Sequence, residues 1–136
     1  MFTKPSCGWV GITVGNYKAS ASYLRDVPME TIGSFIAAIQ NNTPASILYD
    51  AEGWEFITVF DSYNAYVIEC KDLESTIYHY TINFNNVIED VYNDFNNNFN
   101  DWCNWNFNED EDDVKEYSKE LRSKLNELRK VIDTMN

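Results

Sequence analysis

The chain has 136 residues, of which 44% are hydrophobic and 15% aromatic, enough to build a core and to exclude global disorder. No run approaches about 18 consecutive apolar residues, and residues 1–7 lack the apolar stretch of a secretory signal, so neither a transmembrane helix nor export is expected. The sequence therefore predicts one domain over 1–136 in the cytoplasm, with no membrane partner.

The net charge of −12 is unevenly distributed. Residues 26–114 contain 18 Asp and Glu and a single basic residue, Lys71, whereas residues 1–25 carry +3 and residues 115–136 carry +2. Nucleic-acid phosphates need a positive surface, so direct nucleic-acid binding is disfavoured. The acidic body either serves solubility alone or favours a basic protein partner. Both interpretations stay open, although the charge exceeds what a small domain needs for solubility.

The first elements are a hairpin and a helix. Two β-prone runs, 9–14 and 17–24, flank Gly15-Asn16, a pair typical of a tight hairpin turn. Asp26 and Pro28 then suit the cap and the first position of a helix, which Asn41–Pro44 ends. Its apolar face comprises Ile32, Phe35, Ile36 and Ile39.

Four short strands follow, separated by polar turns. They cover residues 47–49, 54–60, 65–70 and 76–82, and their short connections predict an antiparallel meander.

The last third of the chain is helical. An apolar stripe at helical spacing predicts one helix near 84–104, and a second stripe predicts a helix over 112–135, entered through the acidic run Glu109–Asp113. The two stripes are formed by Phe84, Ile88, Val91, Phe95, Phe99 and Trp102, and by Val114, Tyr117, Leu121, Leu125, Leu128, Ile132 and Met135. The 112–135 helix either docks on the body or acts as a semi-independent arm, and its short stripe favours docking.

These elements predict an α+β fold in the order ββ-α-ββββ-αα. About six strands form a mainly antiparallel sheet, and the helices pack on one face of that sheet.

No pattern indicates catalysis, a metal or a cofactor. His79 is the only histidine, and no nucleophile motif accompanies it, so a surface or core role is favoured over catalysis. Cys7, Cys70 and Cys103 lack the spacing of a disulfide framework or a zinc site, and the acidic run lacks the alternation and glycine of a calcium loop. The protein is therefore predicted not to be an enzyme and to need no cofactor.

The acidic residues form the candidate partner-binding site. Asp90, Asp94 and Asp101 share one helical face over roughly 16 Å. Trp105 follows the apolar stripe, and two roles are open for it. It covers the sheet edge or seats the last helix, which is the favoured interpretation, or it is an exposed anchor among the carboxylates. The contact set comprises Asp90, Asp94, Asp101, Trp105, Glu109, Asp110, Asp112 and Asp113. Reversal of the three helical charges to Lys is expected to weaken binding with the fold intact. Asp50, Glu52 and Glu55 are expected to extend the acidic surface.

The chain resembles, at the level of a class, the small acidic immunity proteins of bacterial polymorphic-toxin and contact-dependent inhibition systems. The resemblance rests on size, charge, element order, the stretch Ser22–Pro28 before the helix and Glu52-Gly53 at a later turn. It implies an antitoxin that binds a basic toxin tightly and occludes its active site, but it assigns no residue a role.

Three other functions remain open. A phage-type counter-defence inhibitor, similar to a DNA mimic or an anti-CRISPR protein, would bind a host nucleic-acid-binding complex with strong salt dependence. A small ligand-binding domain would need a deep pocket with convergent polar groups. A structural protein would form oligomers, with the final helix pairing between chains.

Overall fold

The computed structural model describes residues 1–106 and 110–135. Within them the α+β class, the six strands and the predicted order are confirmed. The elements are β1 (Trp9–Val14), β2 (Tyr17–Ser22), α1 (Val27–Asn41), β3 (Ala45–Asp50), β4 (Glu55–Phe60), β5 (Asn64–Lys71), β6 (Glu74–Thr81), α2 (Phe84–Asn97), α3 (Phe99–Asn104) and α4 (Glu111–Thr134).

The six strands divide between two antiparallel sheets. β3, β4, β5 and β6 pair in sequence order, whereas β1 and β2 form a separate sheet. On its other side β1 is met by the N-terminal residues through two isolated antiparallel bridges, Phe2–Ile12 and Ser6–Trp9. The β1–β2 hairpin packs across the face of the larger sheet instead of joining its edge. Tyr17 makes this contact: its hydroxyl donates to Glu69 Oε2 at 2.6 Å, and its ring lies 5.0 Å from that of Tyr78. Burial, and to a lesser extent the hydrogen bond to Glu69, raises the pKa of Tyr17. The hydroxyl therefore stays protonated and can donate.

The core lies between this covered face, the hairpin and the helices. Alternate residues of β3, β4 and β5 point inward and are buried, as expected when one face of a sheet meets the core. They are Ala45, Ile47, Tyr49, Phe56, Thr58, Phe60, Ala65 and Val67. Aromatic rings join the layers, with Phe35 of α1 5.9 Å from Phe60 and 5.3 Å from Phe84 of α2.

Helix α1 begins and ends at the residues that the sequence predicts. The Asp26 side chain accepts from the Met29 N–H as the N-cap, Pro28 lies in the first turn, and Asn42 ends the helix in the left-handed conformation (φ 53°). Ser34 on α1 then accepts from the Ser46 N–H and donates to the Ser46 carbonyl, at 3.1 and 3.0 Å. This hydroxyl therefore bonds to both backbone groups of Ser46 on the outer side of β3 and connects the helix to the sheet.

The predicted single helix near 84–104 breaks at Asn98. Asn98 (φ −112°, ψ 30°) is the C-cap of α2 and the N-cap of α3, and it closes a run of three asparagines, which are weak helix formers. The apolar stripe survives the break, because Ile88, Val91, Phe95 and Trp102 are all buried.

The long helix α4 packs into the same core. Leu121, Leu125, Leu128 and Ile132 are buried, and the helix contacts α1, α2 and α3. The Tyr117 hydroxyl also donates to Asp26 at 2.8 Å, at the N-cap of α1. In the ranges 1–106 and 110–135, no helix combines the length and the hydropathy needed to cross a bilayer.

One ion pair between α2 and α4 predicts a pH dependence. Arg129 donates from two nitrogens to Glu89, each at 3.0 Å, and this bond lowers the pKa of Glu89 from its ordinary value of 4.5. A carboxylate whose pKa is lower in the folded than in the unfolded chain stabilises the folded state at pH values above its unfolded-state pKa. This contribution is lost as the pH falls through the pKa of the folded state. We expect Glu89→Gln to cost less than about 1 kcal/mol at pH 7, since the pair is partly exposed.

The difference in unfolding free energy between wild type and Glu89→Gln should shrink towards zero below pH 4.5, when followed by urea titration at several pH values. A difference that stays constant from pH 7 to pH 3 contradicts this assignment.

Candidate protein-binding face

The predicted contact Asp94 is already used inside the molecule. Its Oδ2 accepts from the Met1 ammonium at 3.1 Å and from the Phe2 N–H at 2.9 Å. These bonds hold Phe2 in the core, where its ring stacks on Phe95 at 4.9 Å and it is only 6% exposed. Asp94 therefore anchors the N-terminal residues, and its carboxylate is half-buried rather than presented to solvent.

The two other acids of the helical trio lie nearer the surface. Asp90 is exposed on α2, and Asp101 on α3 lies 3.8 Å from the ammonium of Lys4. The basic N-terminal residues thus offset part of the acidic surface that the sequence predicts here. The trio remains a predicted contact, but two of its three carboxylates, Asp94 and Asp101, already lie beside cations of the N-terminal residues.

Trp105 is buried, which excludes the alternative of an exposed anchor. Trp105 is 5% exposed, and its ring packs edge-on against Trp102, with centroids 5.0 Å apart. It caps the core at the end of α3, because Trp102 extends the buried stripe only one turn earlier. Trp105 cannot serve as an exposed anchor in this conformation.

The acids at the start of α4 have a structural role. Asp110 is the N-cap, and its side chain accepts from the Asp112 and Asp113 N–H groups at 2.9 and 3.4 Å. Asp112 and Asp113 are exposed in the first turn, where the helix dipole favours negative charge. Glu109, the remaining predicted contact, lies outside the described residues.

A different surface is open and apolar. Leu48, Ile57, Ile68 and Ile77 are paired directly across β3, β4, β5 and β6 and point away from the core. We call these four residues the aliphatic row. The first three are half-buried by one another, and Ile77 on the edge strand is 66% exposed. None of the four belongs to the hydrophobic core or packs against it.

A second line of residues extends this outer face of the sheet. Val59, Tyr66 and His79 are paired across β4, β5 and β6, one step along from the aliphatic row. His79 stacks on Tyr66 with ring centroids 4.9 Å apart, and its Nε2 lies 2.8 Å from Asn64 Oδ1. The histidine is therefore a surface residue of β6, beside Tyr66 and Asn64.

Carboxylates border one end of the outer face. We call Asp50, Glu52, Glu55, Asp72 and Glu74 the acidic end. The β3–β4 and β5–β6 turns both lie there, around a shallow groove lined by residues of both turns. The nearby ammonium of Lys71 lies 3.9 Å above the Trp54 ring and 3.5 Å from Glu69. The acidic end thus keeps an excess of negative charge.

Two of these carboxylates oppose each other. Asp50 and Glu55 are direct cross-strand partners, and the Ala51 N–H bond to the Trp54 carbonyl makes their pair the non-hydrogen-bonded kind, in which side chains lie closer. Like charges at such a pair destabilise a sheet. Asp50 also accepts from the Glu52 N–H at 2.7 Å and so stabilises the β3–β4 turn. The repulsion from Glu55 remains a cost, which favours a role in binding for Glu55.

Strained backbone marks the same end. Glu52, Asp72 and Leu73 have φ values of 55°, 51° and 65°, a region that costs a residue with a side chain about 1–2 kcal/mol. The Leu73 side chain at the tip of the β5–β6 turn is fully exposed. The two-residue β5–β6 loop requires positive φ at both of its residues, a place where Gly or Asn is usual. Leucine at this position puts an exposed apolar side chain beside the carboxylates.

A metal site and a ligand cleft are the alternatives to this face. In the described part of the chain, no group of three or more His, Cys, Asp or Glu is placed to hold a metal. A cleft of about 450 Å³ lies beside the end of α1 and the β4–β5 turn. Its one carboxylate, Asp61, already accepts from the Tyr63 and Asn64 N–H groups, and these bonds lower its pKa.

The sequence held a signal for the outer face. The runs Phe56–Phe60 and Ala65–Ile68 lack the polar alternation of a half-exposed strand, which indicates apolar residues on both faces. Such a pattern usually means that both faces are buried. Only the structure shows that nothing in the described residues covers the second one. Comparison of the chain with protein-family models, curated proteins and solved structures found no match.

Proposed function

We propose that this protein binds a basic protein partner through the outer face and the acidic end, and inhibits that partner by occluding its active or nucleic-acid-binding site. The observation that carries the proposal is the aliphatic row, open to solvent and bordered by carboxylates. An apolar centre with a polar rim is the usual anatomy of a protein interface.

The charges support a basic partner. The acidic end combines five carboxylates with strained turns, and the whole chain carries −12. An acidic rim accelerates encounter with a basic protein and rejects acidic ones, whereas the apolar centre supplies affinity that survives salt. Lys and Arg that otherwise hold substrate phosphates are the natural counterparts of these carboxylates.

Within this function we favour an immunity protein that neutralises a bacterial toxin. The supporting features are the size, the acidic charge, the class-level resemblance and an apolar surface suited to a lasting complex. A phage-type inhibitor that mimics DNA needs charge more than apolar area. Binding that disappears at high salt and competes with DNA therefore indicates that alternative.

Glu55→Gln separates a binding role from a structural one. The change removes the repulsion with Asp50, so we expect the free energy of unfolding to rise by a few tenths of a kcal/mol, up to about 1 kcal/mol. It also removes a rim charge, so association with the basic partner should slow, most clearly at low salt. Urea unfolding and stopped-flow association, measured on the same variant, test both effects. A more stable variant with unchanged association removes Glu55 from the interface.

Ile57→Glu tests the apolar centre. It places a carboxylate in the aliphatic row, and we expect affinity to fall at least about tenfold although the added charge favours a basic partner. Leu24→Glu is the matched control, because Leu24 is 55% exposed and lies away from the outer face. The partner is captured with the wild-type chain at low and high salt and then titrated, purified, against both variants. Equal affinity for all three proteins overturns the proposed face.

A further inference from the structure

The edge strand β6 exposes a regular row of backbone groups. The Ile82 N–H donates to the Tyr63 carbonyl at 2.9 Å, which continues the β5–β6 register by one pair. Hydrogen-bonded pairs alternate along an antiparallel ladder, so Tyr80, Tyr78, Thr76 and Glu74 bond to β5. The N–H and C=O groups of the other residues point away from the sheet, and these residues are Ser75, Ile77, His79 and Thr81.

This edge lacks the usual protection. Natural proteins guard a free edge with lysine, proline, bulges or a covering element. The opposite edge of the sheet follows this rule, since Ser34 of α1 satisfies both backbone groups of Ser46. Along β6 the pairing with β5 is continuous for 8 residues without a bulge. None of the four residues whose backbone groups point away from the sheet is Asp, Glu, Lys or Arg. Among the described residues, β6 has no strand on its outer side.

We propose that a second copy of this chain pairs along β6, antiparallel, to join the two sheets into one of eight strands. In the register that places Tyr78 opposite Tyr78 of the other copy, Ser75 pairs with Thr81 and Ile77 with His79. All the outward backbone groups of both strands are then satisfied. In this register, outer-face residues of one copy pair with outer-face residues of the other, so the outer faces of the two copies become continuous.

The charges permit this register. No acidic residue is opposed by another, because the acidic ends lie at opposite ends of the new pair of strands. Glu74 falls opposite Ile82 of the other copy, beside the start of α2, whose first turn has no acidic residue. A helix N-terminus favours such a carboxylate. The edge therefore accepts a second copy despite the net charge of −12 on each chain.

Sedimentation velocity of the full chain over a concentration series tests the dimer, with three variants beside the wild type. Ile77→Lys puts a lysine on the edge, and His79→Pro removes one outward N–H without touching the bonds to β5. Ile57→Lys is the control, since it changes the outer face but not the edge. Far-UV circular dichroism checks the fold of each variant. We expect the two edge variants to weaken the dimer at least tenfold and the control to leave it unchanged.

Amide hydrogen exchange gives a readout that needs no variant. In the dimer the N–H groups of Ser75, Ile77, His79 and Thr81 should become protected with rising concentration, while those bonded to β5 are protected throughout. The proposal is overturned by a wild-type chain that stays monomeric at about 1 mM, by a dimer that survives both edge variants, or by one that Ile57→Lys weakens as much as they do.

Discussion

Replacing Gly15 by alanine is expected to lower the free energy of unfolding by about 2–4 kcal/mol, because two costs combine at the tip of the β1–β2 hairpin. Gly15 has a φ of +58°, in the left-handed region. A Cβ there would also lie 2.3 Å from Cδ1 and 2.5 Å from Cγ of Tyr80, so the hairpin would have to lift off β6 or the ring would have to move. Urea unfolding followed by tryptophan fluorescence measures the loss.

A control and a double variant test this explanation. In the control, Gly33→Ala in α1, the added Cβ meets nothing within 4 Å, and the change should stabilise the chain by about 0.5–1 kcal/mol because alanine is the better helix former. In the double variant Gly15→Ala/Tyr80→Ala the steric part should vanish, so the two changes should cost less together than the sum of their separate effects. Strict additivity would mean that the hairpin tip does not press on Tyr80.

Asp94→Lys is expected to destabilise the fold by about 2–3 kcal/mol, the range for losing hydrogen bonds to a charged group. The change removes the acceptor for the Phe2 N–H and the Met1 ammonium and places a second cation beside that ammonium. Phe2 should then leave its place between Phe95 and Trp102. The unfolding free energy and the chemical shifts of the Phe2 ring report this directly.

Asp90→Lys is the matched control, because Asp90 is exposed on the same helix. We expect it to change stability by less than about 0.5 kcal/mol. Reversal of Asp90, Asp94 and Asp101 together therefore cannot be interpreted as a binding test with the fold intact, contrary to the expectation from sequence. Equal stability of the Asp94 and Asp90 variants would contradict the anchoring role of Asp94.

Local signals predicted most of the fold. The cap of α1, the turn at Gly15-Asn16 and the stripes of the last helices all act within a few residues, so a single sequence contains the information. One difference is local: the helix near 84–104 breaks at Asn98, at the end of the run of three asparagines, although the stripe continues. The other depends on a distant contact, since the strands form two sheets because the hairpin packs on a face.

The candidate site was harder to predict for the same reason. Helical spacing placed Asp94 on an acidic face, but its carboxylate is occupied by residues more than 90 positions away in sequence. Trp105 lies beyond the regular stripe, and only its packing on Trp102 buries it. Asp50, Glu52 and Glu55 were recognised as acidic, whereas their grouping with Asp72 and Glu74 depends on the pairing of strands.

The sequence by itself determined the class of fold, the order of its elements and the acidic character of the surface, because periodicity, caps and charge are local or additive properties. The tertiary structure decided which acids are free and which apolar residues stay in water. The aliphatic row exists only once Leu48, Ile57, Ile68 and Ile77 are in register, and it stays open only because the hairpin and the helices all pack on the other side. Both conditions join residues far apart in the chain, and no local pattern encodes them.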